Sequence, residues 1–116
     1  MTKYEGVSVS LGTRFFARTL AMVETILGRG PDFISGEEKA EWEVSPNSWI
    51  IISKAKVPYT RVRFGTTDIA SASSRVTQAG FATSGVRNYE DKVEWIDFSD
   101  DEEHLLGLFR NIAGEN

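Results

Sequence analysis

The chain has 116 residues, a formal net charge of −4 and no cysteine, which excludes disulfides, thiolate catalysis and cysteine-ligated zinc. Basic and acidic residues are mixed along it, a distribution that disfavours a nucleic-acid-binding surface. No apolar run approaches the roughly 20 residues of a membrane span, and the first residues lack the order of a signal peptide. We therefore expect one cytoplasmic domain over residues 1–116, with neither nucleic-acid nor membrane partners.

The first half of the chain changes from strand to helix periodicity. Residues 4–11 alternate apolar and polar side chains, which predicts a half-buried strand. Residues 14–27 then place an apolar side chain every third or fourth position, which predicts a helix with Thr13 as N-cap and Gly28 just after its end. Further strands are predicted over 32–35, 39–44 and 48–55, the last two joined by a turn at 45–47.

The second half follows the same plan. Residues 60–64 alternate again, and Asp68 is the predicted N-cap of a helix over 69–79. Strands are predicted over 81–84, 92–98 and 105–109, and the acidic segment 99–103 is interpreted as a solvated turn.

Short sequence matches also indicate an internal repeat. Leu11-Gly12-Thr13 recurs as Phe64-Gly65-Thr66, with one apolar residue exchanged for another. Glu41-Trp42 recurs as Glu94-Trp95, and both matches lie 53 residues apart. Together with the repeated element order, this predicts an α+β fold of two tandem βαβββ modules, 1–56 and 57–116.

Strand alternation assigns side chains to the two faces of the predicted sheet. The apolar members are expected to meet the helices: Val7, Val9, Leu11, Val62 and Phe64. The polar members are then expected on the opposite face: Ser8, Ser10, Arg61 and Arg63. That face is therefore expected to be a solvated surface rather than a second apolar layer.

Four segments carry a resemblance to a known group of proteins. They are 64–69, which leads into a helix, 79–81, where that helix stops, and 96–100 and 104–109 in the last two strands. In this pattern the chain resembles the vicinal oxygen chelate superfamily, which includes glyoxalase I, extradiol dioxygenases and bleomycin-resistance proteins. The resemblance implies a curved mixed sheet with the helices on its convex face and a ligand cup on the other.

The resemblance also implies where a metal site would lie. The family's histidine positions fall on Ser8 and Arg61 and its glutamate position on Gly107, while the matching strand of the first half offers Trp49, Ile51 or Ser53. A guanidinium is always cationic and only donates hydrogen bonds, so it cannot replace imidazole around a divalent ion. We therefore predict no metal and no other cofactor.

Eight residues are candidate ligand contacts: Ser8, Ser10, Trp42, Trp49, Arg61, Arg63, Trp95 and Phe109. Two arginines that project together would bind a carboxylate or phosphate, and aromatic rings on strands would stack on a flat ligand. The alternatives are that the arginines pair with Asp97, Glu41 or Glu43, and that the tryptophans are core residues.

The leading functional hypothesis is a metal-free protein of the glyoxalase/bleomycin-resistance type that binds a small organic molecule in its cup. The alternative is a lyase- or isomerase-type enzyme, or one related to the dioxygenases, in which Arg61 stabilises an anionic intermediate. A third is an accessory subunit whose cup is filled by its own side chains. A homodimer is expected, because exposed strand edges need covering.

Overall fold

The computed structural model describes residues 3–100, 102 and 104–112, so Asp101 and Glu103 of the acidic segment lie outside the described residues. The chain separates into two compact units. The N-terminal unit is Ser8–Thr60, and the C-terminal unit contains the described residues of 1–7 and 61–116. The division thus lies slightly after the predicted module boundary at 56–57, and the first residues group with the second module.

The N-terminal unit is a mixed sheet with one helix. It contains the part of β1 (Tyr4–Thr13) that begins at Ser8. The elements that follow in the chain are α1 (Phe16–Leu27), β2 (Phe33–Ser35), β3 (Lys39–Ser45) and β4 (Ser48–Lys54). The strand order is β2-β3-β4-β1, in which β1 and β4 are parallel and the other pairs are antiparallel.

The C-terminal unit has the same plan. Its elements are β5 (Tyr59–Thr66) from Arg61, α2 (Ile69–Gln78), β6 (Ala82–Thr83), β7 (Arg87–Tyr89), β8 (Val93–Ser99) and β9 (Leu105–Asn111). The strand order is β5-β9-β8-β6, with β7 also paired to β8, and β5 and β9 are parallel. The predicted α+β fold of two βαβββ modules is confirmed, with one extra short strand in the second.

That extra strand, β7, was not predicted because Arg87, Asn88 and Tyr89 show no apolar alternation. Its pairing with β8 depends on the turn that follows it. Glu90 and Asp91 both have positive φ, 49° and 54°, and they form the tight turn that leads from β7 into β8. The loop between the two strands is the segment 90–92, and the Lys92 backbone N–H donates to the Tyr89 carbonyl oxygen across it at 2.8 Å. Its sequence lacks the glycine typical of a tight hairpin turn.

The ends of the helices follow local chemistry. The predicted N-cap Asp68 is confirmed, since its carboxylate accepts a hydrogen bond from the Ser71 backbone N–H at 3.1 Å. Hydrogen bonds from Ser71, first from its side chain and then from its backbone, hold the pKa of Asp68 below its ordinary value. Gly28 is confirmed as the left-handed residue after α1, with φ 73°.

The predicted N-cap of α1 was wrong, because the helix begins two residues later and its N-cap is Phe15. Thr13 still acts close to this end. Its hydroxyl oxygen accepts a hydrogen bond from the Phe15 backbone N–H at 3.0 Å and lies 2.8 Å from the Thr19 hydroxyl. The turn at 45–47 is confirmed, with Asn47 at φ 56°.

Each unit has its own apolar core between its helix and its sheet. In the N-terminal unit the buried cluster is Phe16, Val23, Ala40, Trp42 and Ile52. In the C-terminal unit it is Ile69, Ala72, Ile96, Phe98 and Leu108. Neither α1 nor α2 is long and apolar enough to cross a membrane, and the described residues contain no other helix.

The core of the N-terminal unit depends on Ile52, which has 0% of its surface exposed. Ile52→Ala would remove buried methyl groups and leave a cavity, so we expect a loss of about 2–5 kcal/mol in the free energy of unfolding. Urea unfolding followed by circular dichroism measures this loss. The matched control is Ile26→Ala on the solvent side of α1, where 72% of the residue is exposed. A similar loss in both variants would contradict this assignment of the core.

Candidate functional site

The eight candidate residues divide between the two units. Ser8, Ser10, Trp42 and Trp49 lie in the N-terminal unit, and Arg61, Arg63, Trp95 and Phe109 lie in the C-terminal unit. Because each unit is a separate compact body, each group of four is a feature of its own unit.

In the N-terminal unit, Trp42 belongs to the core. It has no exposed surface, packs in the buried cluster under α1 and donates its indole N–H to the Arg29 carbonyl oxygen at 3.2 Å. A residue in this position has no face left for a ligand. The alternative interpretation of this tryptophan as core therefore holds, and it drops out of the candidate set.

The remaining candidates of this unit lie on the strands. Ser8 and Ser10 are buried, with 5% and 6% of their surface exposed. Ser8 lies opposite Trp49 in the β1–β4 register, and the Trp49 ring contacts Phe33 with 6.3 Å between centroids. The ion pair between Lys39 and Glu41, at 2.9 Å, forms within β3 and involves none of the candidates.

In the C-terminal unit, β5, β9 and β8 bring two arginines and an aspartate together. The register places Arg63 opposite Gly107 and Gly107 opposite Asp97. Arg63 donates from Nε and Nη2 to the two carboxylate oxygens of Asp97, at 2.8 and 3.0 Å. Arg61 Nη1 lies 3.3 Å from Asp97 Oδ1 and donates to the Leu106 carbonyl oxygen at 3.2 Å.

The sequence left two interpretations of the arginines, a joint anion site and pairing with an acid, and this cluster is compatible with both. The two side chains do lie together, and they do pair with Asp97. All three are partly solvent-accessible, at 18% for Arg61, 22% for Arg63 and 19% for Asp97. One carboxylate between two guanidinium groups leaves a net charge of +1.

Aromatic side chains border this cluster. The guanidinium carbon of Arg63 lies 5.7 Å from the centre of the Trp95 ring, within cation–π range. Trp95 lies opposite Phe109 in the β8–β9 register, and Phe109 is 6% exposed. We name the surface formed by Arg61, Arg63, Trp95, Asp97, Gly107 and Phe109 the arginine face. It is opposite the face that packs on α2, since Ile96, Phe98 and Leu108 alternate with these residues.

One further arginine reaches this face and was missed from the sequence. Arg87 of β7 lies directly opposite Trp95, and directly paired residues of antiparallel strands project to the same side. Arg87 is exposed and has no ion-pair partner among the residues that the structure describes. The pair Glu90-Asp91 lacks the glycine typical of a tight hairpin turn, so the sequence contains no clear signal for the hairpin that carries Arg87.

The two tryptophans of the sequence repeat are not structural equivalents. In the N-terminal unit the register runs from Leu11 to Ile52 to Ala40, and in the C-terminal unit it runs from Phe64 to Leu108 to Ile96. Trp42 lies two residues after Ala40, and Phe98 lies two residues after Ile96. Both are core residues of their units. The counterpart of Trp42 is thus Phe98, which leaves Trp95 free to lie on the other face.

Gly107 is required by the packing of the arginine face. A Cβ atom at this position would lie 2.6 Å from Asp97 Oδ1, 2.7 Å from the Ile96 carbonyl oxygen and 3.1 Å from Arg63 Cγ. The Asp97 carboxylate thus fills the space that a side chain at position 107 would need.

The residues at the family's metal positions do not fit a divalent ion. Arg61 is cationic, Gly107 carries no ligand atom, and Asp97 is already shared by two guanidinium groups. Within residues 3–100, 102 and 104–112, no three His, Cys, Asp or Glu side chains lie close enough together to bind a metal ion. The donor set of the arginine face is therefore suited to an anion rather than to a divalent cation.

His104 pairs with Asp100 rather than with a residue of the arginine face. Its Nδ1 is 2.6 Å from Asp100 Oδ2, and 65% of the side chain is exposed. The hydrogen bond from this ring, followed by the one from the His104 backbone N–H, holds the pKa of Asp100 below its ordinary value. This pair lies in the turn before β9.

Comparison with solved structures identifies the fold. A glyoxalase/bleomycin resistance protein/dioxygenase superfamily member from Vibrio splendidus superposes with a TM-score of 0.70 at 11% identity, covering 94% of this chain and 100% of that one. This chain has the vicinal oxygen chelate fold. No family model and no curated protein matches the sequence.

Two enzymes share this vicinal oxygen chelate fold with the chain. Methylmalonyl-CoA epimerase from Mycobacterium tuberculosis has a TM-score of 0.65 at 11% identity, over 93% of this chain and 87% of that one. A variant of homoprotocatechuate 2,3-dioxygenase from Brevibacterium fuscum has a TM-score of 0.72 at 13% identity, over 90% of this chain and 32% of that one. At such identities the likeness shows the fold alone. The fold that the resemblance implies is confirmed.

Substitution of Gly107 tests the packing of the arginine face. Gly107→Ala forces the new methyl group against a backbone carbonyl, so we expect a loss of about 1–3 kcal/mol in unfolding free energy, measured in urea. The control is Gly30→Ala, whose Cβ would come no closer than 3.4 Å to its nearest neighbour, the Glu24 carboxylate. If Gly107→Ala is as stable as the control, Asp97 does not fill this space.

Adding divalent metal ions tests whether the arginine face can bind a cation. A divalent ion would meet Arg61 and would have to separate Asp97 from both guanidinium groups, so millimolar Mn²⁺, Ni²⁺ or Zn²⁺ should leave Tm unchanged. Protein first treated with EDTA is the reference for differential scanning fluorimetry. A marked rise in Tm with one of these ions would show that the face accepts a metal.

Proposed function

We propose that this protein binds a small organic anion on its arginine face, without a divalent metal. The observation that carries the proposal is the guanidinium pair held side by side by one carboxylate. The arrangement retains a net positive charge and remains partly open to solvent. It is also held in place before a ligand arrives, which reduces the entropy lost on binding.

Arg61 has the donors that a ligand would use. Its Nη1 is engaged by Asp97 and the Leu106 carbonyl oxygen, whereas its other guanidinium nitrogens have no hydrogen-bond acceptor among the described residues. Arg63 commits Nε and Nη2 to Asp97 in a two-pronged pair. We therefore assign anion recognition mainly to Arg61 and a supporting role to Arg63, with Arg87 adding positive charge at the edge.

Trp95 gives the site a flat apolar wall. It is half-buried beside Arg63, so a planar group bound next to the guanidinium pair would lie against the indole ring. Phe109 is too buried for extensive ligand contact and instead supports Trp95 from the adjacent strand. An aromatic or unsaturated carboxylate matches this combination of charge and surface.

The hydrogen bonds that Asp97 accepts favour binding over catalysis. The epimerase and the dioxygenase that share the fold are enzymes by name. On the arginine face, however, both Asp97 oxygens already accept hydrogen bonds from guanidinium groups, which leaves this carboxylate poorly placed to take a proton from a substrate. A homodimer and a cytoplasmic location stay predictions from the sequence.

Benzoate and its neutral isostere benzamide test the proposed charge recognition. We expect benzoate to bind with a change in tryptophan fluorescence and benzamide to bind at least about tenfold more weakly, the factor that corresponds to roughly 1.4 kcal/mol. Arg61→Gln should weaken benzoate binding by about ten- to a hundredfold, because a hydrogen bond to a charged group contributes roughly 1.5–3 kcal/mol. Isothermal titration calorimetry measures both effects.

The matched control is Arg110→Gln. Arg110 is also a strand arginine paired with an acid of the same unit, since its Nε lies 2.6 Å from Glu94 Oε1, but it alternates with Phe109 and so projects away from the arginine face. Benzoate affinity should be unchanged in this variant. Equal affinities for benzoate and benzamide, or an equal effect of both substitutions, would refute the proposal.

A further inference from the structure

A second concave site lies in the C-terminal unit, on the side of the sheet that carries α2. It is a cavity of about 830 Å³, walled by the sheet residues Phe64, Phe98 and Leu106 and by Val76 and Ala79 at the end of α2. Phe98 and Leu108 join it to the buried core of the unit. Its volume lies within the range of about 300–1,000 Å³ that is typical of small-molecule sites.

The helix is too short to cover this part of the sheet. It ends at Gln78, and its inner residues Ile69 and Ala72 cover only the buried cluster. Large apolar side chains beyond its end therefore remain in contact with solvent, with Phe64 43%, Leu106 42% and Phe81 48% exposed. Exposed apolar groups gathered around one concavity are typical of a binding site rather than of ordinary surface.

The charged residues of the cavity are already engaged with neighbours. Arg75 donates to the Tyr4 hydroxyl at 2.8 Å, and Asp100 is paired with His104. Glu5, the other acid of the lining, is not free either. The lining carries two carboxylates and one guanidinium, so it offers no surplus positive charge to an anion.

We propose that this cavity is a second ligand site, which takes an uncharged, largely aromatic molecule. Apolar burial against phenylalanine and leucine supplies the affinity, and edge or face contacts with Phe64 and Phe98 favour rings over flexible chains. The site differs from the arginine face in ligand class and lies on the opposite side of the same sheet. It does not depend on the function proposed above.

The neutral fluorophore N-phenyl-1-naphthylamine tests this site, because its emission rises when it enters an apolar cavity. We expect saturable binding to the wild-type protein. Ala79→Trp fills the cavity from the exposed end of α2 and should weaken binding at least about tenfold. Ala70→Trp is the matched control, since Ala70 is also exposed on α2 but does not line the cavity, and it should bind as the wild type does.

Leu106→Gln provides a second test that adds little volume. It places an amide in the cavity and should also weaken fluorophore binding, while circular dichroism reports whether each variant is folded. Arg61→Gln should leave fluorophore binding unchanged, and benzoate should not displace the fluorophore. The proposals for the arginine face and for the cavity are therefore tested independently.

Three results would overturn the proposal. The first is the absence of saturable binding, and the second is wild-type affinity in both folded cavity variants. The third is a dimer, detected by light scattering, that Ala79→Trp dissociates and Ala70→Trp does not. That result would assign the cavity to contact with a second copy of the chain.

Discussion

The arrangement on which the arginine face depends is one carboxylate shared by two guanidinium groups above a glycine. Asp97 holds Arg61 and Arg63 beside each other, where their like charges would otherwise separate them. Gly107 is the neighbour that allows this, because any side chain there would occupy the place of the carboxylate. Partial burial makes the pairing necessary, since an unpaired charge in this position would be strongly unfavourable. The surplus guanidinium charge is what a ligand can use.

The two modules show how one backbone plan carries different chemistry. The row Arg63, Gly107 and Asp97 in the C-terminal unit corresponds to Ser10, Ile51 and Glu41 in the N-terminal unit. In the N-terminal row the glutamate pairs with Lys39 of its own strand, and no guanidinium takes part. The same register thus yields a cluster of two arginines and one aspartate in one module, and a lysine–glutamate pair in the other.

Much of the local structure was predictable because it depends on neighbouring residues. Asp68 and Gly28 act at helix ends through bonds within a few residues, and both predictions are confirmed. The prediction at Thr13 was wrong because α1 begins at Phe16, with Phe15 as its N-cap residue. The strand β7 was missed because its three residues carry no apolar pattern and are stabilised by pairing with β8.

The sequence by itself determined the order of the elements apart from β7, the α+β fold and the face on which each β5 residue lies. Strand alternation and helix periodicity are local properties of the chain. Only the tertiary structure decided that Asp97 is the partner of both arginines, that Arg87 lies on the same face and that Trp42 is core while Trp95 is not. The reason is that these outcomes depend on the register between strands far apart in the chain. A difference of a few residues in the connections moves Trp95 to the opposite face, and the short repeat in the sequence does not reveal it.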